Sequence, residues 1–148
     1  MVAMKPRCTD CSRRTLLKGL GLVVLTSACT TPTPPAGTAS ACGTDLCLDL
    51  GDPANKELLT TGGSLVVDAP GDTIMVVRTS DTEVVAISAI CTHSGCENLY
   101  TSSSMTFDCP CHGSKFSITG EVINGPARRP LRLYTASLAN NIVTVTLT

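Results

Sequence analysis

Tryptophan is absent from the 148 residues, and aromatics make up only 3%, two Phe and two Tyr. Any core must therefore be filled by Val, Ile and Leu. Charge is sparse too, at 16% of residues. No basic stripe interleaved with aromatics occurs, which removes the usual means of gripping and stacking nucleic acid. No apolar run approaches the about 20 residues a membrane-spanning helix needs. Nor does any stretch sustain a helical period of apolar residues. No nucleophile with a partnered acid–base pair stands out, so the chain does not read as a catalyst on its own. Histidine occurs only at His93 and His112.

Cysteine is what the sequence has in excess: nine residues, too many for chance in this length. The length itself suits one domain plus a targeting segment. Formal charge divides the chain the same way, +4 over residues 1–28 and -5 over residues 29–148. Residues 12–18 read SRRTLLK and lead into the apolar stretch GLGLVVLTSA, residues 19–28. A charged front and a short apolar run form a signal pattern. It resembles a twin-arginine signal, with Leu16 where Phe is common, which implies export of a folded protein. The run ends in LTSAC, and small residues before Cys29 resemble a lipoprotein cleavage site. Cys29 is thus a candidate lipid acceptor; simple cleavage nearby is the other reading.

Residues 29–44 are rich in Thr, Pro, Ala and Gly with no charge, and read as an extended linker. A domain is expected over residues 45–148. DLCLDL, GSLVVDA, TIMVVRT, EVVAISA, LRLYTASL and NIVTVTL are β-branched or alternating runs separated by Gly, Pro, Asp and Asn. They predict an all-β antiparallel sandwich or small barrel. Between the fourth and fifth runs lies a Cys-, Gly-, Ser- and Pro-rich segment, expected as a loop-rich insertion over about 90–126.

That segment holds CTHSGC, residues 91–96, and CPCHGS, residues 109–114. Cys91 and His93 are two apart; Cys109 and His112 are three apart. Two Cys and two His satisfy a tetrahedral zinc ion. They also satisfy a 2Fe–2S centre in which two His replace two Cys on one iron. Cys96 and Cys111 remain over, one beside each ligand pair, and a zinc site has no need of them.

CTHSGC followed by CPCHGSKF resembles the paired boxes of the Rieske iron–sulfur family, Cys-x-His-x-Gly-Cys and Cys-x-Cys-His-x-Ser, in full. The resemblance implies one 2Fe–2S cluster, with Cys91 and Cys109 on one iron and His93 and His112 on the other. It implies a disulfide between Cys96 and Cys111. GPA, residues 125–127, resembles the family's proline loop, with Pro126 shielding one face of the cluster. The extra cysteines resemble the electron-transport branch that oxidises quinol, not oxygenase domains and their ferredoxins, which lack them.

The same resemblance gives the neighbours roles. Ser114 stands where a hydroxyl donates to a bridging sulfide. Phe116 stands where high-potential members often have a Tyr donating to a ligand sulfur, so a lower potential is expected. Ser94 stands where quinol-oxidising relatives often have Leu, which weakens the case for quinol docking. The imidazoles of His93 and His112 imply a potential that falls as pH rises above neutrality. Cys42 and Cys47 read either as a second small-loop disulfide or as free thiols.

The expected function is one-electron transfer outside the cytoplasmic membrane, in a quinol–cytochrome c oxidoreductase type of chain. Expected partners are cytochrome b- or c-type proteins, with quinol itself a candidate. Membrane association is expected through a lipid anchor or through the partner. The alternatives are the small subunit of a molybdenum enzyme resembling arsenite oxidase, bound to a molybdopterin subunit, a stand-alone periplasmic carrier, and a structural zinc module.

Overall fold

Eleven strands and one short helix account for the regular structure among residues 33–147, the residues the computed structural model describes. The signal-like segment, Cys29 and the first linker residues lie outside them. In chain order the strands are β1 (Ser40–Cys42), β2 (Asp45–Asp49), β3 (Ser64–Ala69), β4 (Asp72–Arg78), β5 (Val84–Ser88), β6 (Leu99–Thr101), β7 (Thr106–Asp108), β8 (Lys115–Ser117), β9 (Val122–Asn124), β10 (Leu133–Ala139) and β11 (Ile142–Thr146). A 3-10 helix, Pro53–Leu59, lies between β2 and β3. No helix among the described residues is long and apolar enough to cross a membrane.

Seven strands form one antiparallel sheet in the order β1-β2-β11-β10-β5-β4-β3. It curls at β10, which pairs with β5 only through Leu133 and Tyr134 and with β11 through Thr135–Ala139. The other four strands form a small sheet in the order β6-β7-β8-β9.

Side chains alternate faces along a strand, and in β3 to β5 both faces are covered. Leu65, Val67, Ile74, Val76 and Ala86 pack with Leu46, Leu48, Val143 and Val145 inside the curl of the large sheet. Val66, Met75, Val77 and Ile87, one residue out of step, pack instead against Phe107, Phe116, Cys91 and Cys109. This is why SLVVDA, TIMVVRT and EVVAISA are continuous apolar runs. One set of faces makes the base; the other is the floor beneath the metal-ligand motifs.

The second half of the segment expected as a linker over 29–44 lies against the domain. Val66 N donates to Pro35 O at 2.8 Å, and Gly37 N donates to Val66 O at 2.7 Å. Asn55, fully buried, accepts from Thr38 N at 2.8 Å and donates to Thr38 O at 2.9 Å and Asp49 O at 2.9 Å. A Cβ on Gly37 would meet the Leu65 side chain at 2.6 Å and Asn55 Oδ1 at 2.9 Å, so a larger residue would have to displace these buried side chains for the strap to lie here. Ser40–Cys42 then adds β1 to the sheet edge. The hydrogen-bond partners here are backbone groups and one Asn side chain, which a composition of Thr, Pro and Ala does not reveal.

A second polar lock joins β4, β5 and β10. Tyr134 donates to Asp72 Oδ2 at 2.6 Å, and Ser88 donates to Asp72 Oδ1 at 2.9 Å. Burial, then the Asp72 carboxylate, pushes the Tyr134 hydroxyl up to about 12.

Candidate iron–sulfur centre

Two loops of six residues carry the motifs, and their backbones are built alike. In the first, Cys91–Cys96, Cys91 N donates to Cys96 O at 2.8 Å and Gly95 N to Cys91 O at 3.0 Å. In the second, Cys109–Ser114, Cys109 N donates to Ser114 O at 2.8 Å and Gly113 N to Cys109 O at 3.0 Å. Paired neighbours close each base: Ile90 with Glu97, and Asp108 with Lys115. Gly95 and Gly113 take φ of 73° and 75°, the left-handed turn that the ring closure requires.

The four candidate ligands separate by depth. The thiols of Cys91 and Cys109 are free and 2% exposed, on the apolar floor beside Phe107 and Phe116. His93 and His112 are exposed at the loop tips. Their rings stand edge to face, 4.9 Å apart at 82°. Ser94 Oγ lies 2.7 Å from His93 Nδ1 and 3.3 Å from His112 Nδ1, so both rings turn the same nitrogen toward one point. The arrangement is a sulfur end inside and a nitrogen end outside. A single tetrahedral ion wants four donors around one centre. A cluster with two thiolates on one iron and two imidazoles on the other wants them divided, so the donor set fits a 2Fe–2S group.

Burial pushes the Cys109 thiol up, hydrogen bonding with Cys91 adds to this, and the backbone amides of Cys111 and His112 pull the other way. Those two amides are positioned to stabilise a thiolate at Cys109 once a metal replaces the proton.

Cys96 and Cys111 form a disulfide with a Cα separation of 6.5 Å, tying the first loop to the second. Cys109 Sγ lies within 4.8 Å of both of these sulfurs, but bridged sulfurs have no thiolate to offer an iron. Cys42 and Cys47 also form a disulfide, across the β1–β2 hairpin, far from the ligand motifs in sequence. The free-thiol reading of this pair is thereby set aside.

The segment after β9 covers the site and is tied to both loops. Ala127 N donates to Ser114 Oγ at 3.0 Å. Ser114 is 1% exposed, and with its oxygen accepting from Ala127 its own proton is left for another acceptor. Asn124 Nδ2 donates to Gly113 O at 3.2 Å and to Gly125 O at 3.1 Å. On the other side, Thr92 Oγ1 donates to Arg129 O at 2.7 Å. Pro126, after a cis peptide bond, shares a surface cleft with Thr92, His93, Arg128 and Arg129. Phe116 is fully buried and pairs across strands with Phe107. Thr92 and Asn124 were not legible as site residues, because each acts through a contact distant in sequence.

Curled antiparallel sheets, two disulfide-linked loops and a divided Cys/His donor set define an iron–sulfur electron carrier with mixed ligation. The chain belongs to the Rieske [2Fe-2S] domain family, whose model matches residues 52–135. It contains that family's 2Fe–2S cluster and transfers electrons through it. The cytochrome b6-f complex iron-sulfur subunit of Synechococcus sp. (strain CC9605) is 37% identical over 124 residues, 76% of this chain and 67% of that protein. The subunit of the same name from Chlorobaculum thiosulfatiphilum is 34% identical over 84 residues, 57% of this chain and 46% of that protein. The chain thus spans about half to two thirds of the length of these relatives. Among solved structures, the plasma membrane Rieske protein of Synechocystis PCC 6803 is 34% identical with a TM-score of 0.54, covering 60% of this chain and 90% of that one.

Proposed function

We propose that Cys91 and Cys109 hold the inner iron and His93 and His112 the outer iron, and that the chain serves a membrane-associated quinol–cytochrome c oxidoreductase type of respiratory chain. The observation that carries the ligand assignment is the division of donors, with buried sulfur and exposed nitrogen. When bound, the cluster takes up and releases one electron. Neutral imidazoles in place of two thiolates make that electron easier to accept, and such centres span about -150 to +300 mV. Ser114 has a proton to donate toward the cluster, which favours the reduced state. Phe116 has none, which favours a value below the top of that range. Pro126 caps the site, and exposure of the imidazole end provides the exit for the electron.

The relatives named as cytochrome b6-f subunits support a place in a multi-subunit membrane complex, with cytochrome partners, over a molybdenum enzyme. The chain would work on the periplasmic side, held by a lipid on Cys29 or by its partner. Iron and acid-labile sulfide analysis with a low-temperature EPR spectrum after reduction tests the centre. About two irons and two sulfides per chain are expected; one zinc and no sulfide would overturn the reading. A redox titration against pH tests the assignment further. The potential should fall with rising pH above neutrality, and a flat line to about pH 10 would remove the proton-coupled role of the histidines.

A further inference from the structure

The described domain is acidic, with eleven acidic and six basic side chains, yet three of the six basic ones fall within five positions: Arg128, Arg129 and Arg132. All three are exposed. Arg132 lies over the Tyr134 ring at 4.7 Å. Arg128 and Arg129 have no carboxylate in ion-pair range; the ion pair among the described residues is Lys115–Asp108. Both arginines line the cleft that also holds Thr92, Pro126 and His93, a ligand at the electron exit. Thr92 fixes the Arg129 backbone to the first ligand loop. Unpaired positive charge therefore sits beside the exposed end of the centre, on a molecule whose total charge has the opposite sign. The carboxylates nearest by cleft lining are Asp68 and Asp72, which share a neighbouring cleft with Arg129. Asp72 is already engaged by Ser88, Tyr134 and Thr73 N.

Resting on the Rieske reading of the site, we propose that this cleft is the docking face for a redox partner whose own centre is rimmed by carboxylates. At about 0.1 M ionic strength charges beyond about 10 Å are largely screened. An approaching partner then feels the two arginines, offset in part by the exposed Asp68 in the neighbouring cleft, more than the acidic groups farther off. The apolar tip that a quinol site would want is absent here, with Ser94 exposed between the ligands. A charged rim beside a polar tip suits a protein acceptor.

The test uses the full chain with its cluster, reduced and mixed rapidly with ferricyanide. One electron leaves the reduced cluster and ferricyanide becomes ferrocyanide. From about 0.1 to 1 M salt the rate should fall, although the net charge alone demands a rise. Arg128→Glu should lower the rate at the lower salt by about tenfold. Lys56→Glu changes net charge by the same amount on the exposed 3-10 helix and should leave the rate within about twofold. A wild-type rate that rises with salt, or equal losses in the two variants, would overturn the docking face. Retention on a sulfonate cation-exchange resin gives a readout independent of electron transfer. Wild type and Lys56→Glu should be held longer than Arg128→Glu; co-elution of the two variants would also sink the proposal. Loss of the Rieske EPR signal would instead count against the cluster and leave the resin result to judge the surface.

Discussion

The two ligand loops share one backbone and divide the chemistry between different positions of it. CTHSGC and CPCHGS agree at the first position, Cys, and the fifth, Gly, and nowhere else. Those two positions make the ring: the first residue gives and receives the closing hydrogen bonds, and the fifth supplies the left-handed turn. Everything else was free to differ. His sits third in one loop and fourth in the other. The disulfide joins the sixth position of one to the third of the other. The sixth position of the second loop is Ser114, which holds down the proline loop. A shared frame for the buried thiols and an unshared outer set give an inside of two sulfurs and an outside of two imidazoles.

The largest effect should come from the position the loops share. Cys91→Ala and Cys109→Ala should each abolish the cluster, with iron, sulfide and EPR signal falling to background. If either variant kept a full Rieske signal, the equivalence of the two first positions would fail. Next come the crossed positions. The Cys96–Cys111 bridge spans 15 residues, and a loop of that size contributes about 3 kcal/mol by restricting the unfolded chain. Cys96→Ser with Cys111→Ser should lower unfolding stability by about that amount in denaturant titration. The same change at Cys42 and Cys47, five residues apart, should cost nearer about 2 kcal/mol, since a shorter loop restricts less. Equal losses would show that loop length does not set the contribution of these two bridges.

Much of this architecture was legible before folding. Six strands were readable because each is five to seven residues long and apolar on one or both faces. The small sheet was not, because its strands are three residues each and hold together around Phe107 and Phe116. Three residues show no period. The helix over Pro53–Leu59 was missed for a similar reason: it is short and set by its Asp52 cap, whose side chain accepts from Ala54 N at 2.9 Å. The two Cys/His motifs were readable because they depend on side-chain types at close spacing. Their outer support was not, because Thr92 to Arg129 and Ser114 to Ala127 are pairings across 37 and 13 positions.

The fifth position separates turn from packing. A Cβ built on Gly95 or Gly113 meets nothing within 4 Å, so Ala costs only the left-handed backbone. Each Gly→Ala should destabilise by about 1–2 kcal/mol, and by the same amount in both loops. A much larger loss at one of them, read by thermal unfolding, would break the backbone equivalence at that loop.

The sharpest contrast uses one residue type in two settings. Ser114 is buried and Ser94 exposed. Ser114→Ala leaves the Ala127 amide, itself buried, without its acceptor, which costs about 1–3 kcal/mol. It also removes the proton available to the cluster. A hydrogen bond favouring the reduced state by about 1 kcal/mol is about 40 mV for one electron, so the potential should drop by about that much. Ser94 Oγ reaches both Nδ1 atoms, but under the proposed ligation those nitrogens would have no lone pair left to offer it. Its hydroxyl then turns to water. Ser94→Ala should change the stability of the cluster-bound protein by less than about 0.5 kcal/mol and leave the potential where it was. Voltammetry of both variants decides the matter. A drop for Ser94→Ala as large as that for Ser114→Ala would mean that the exposed hydroxyl stays on the centre, and that tuning comes from the tip as well as from the buried side.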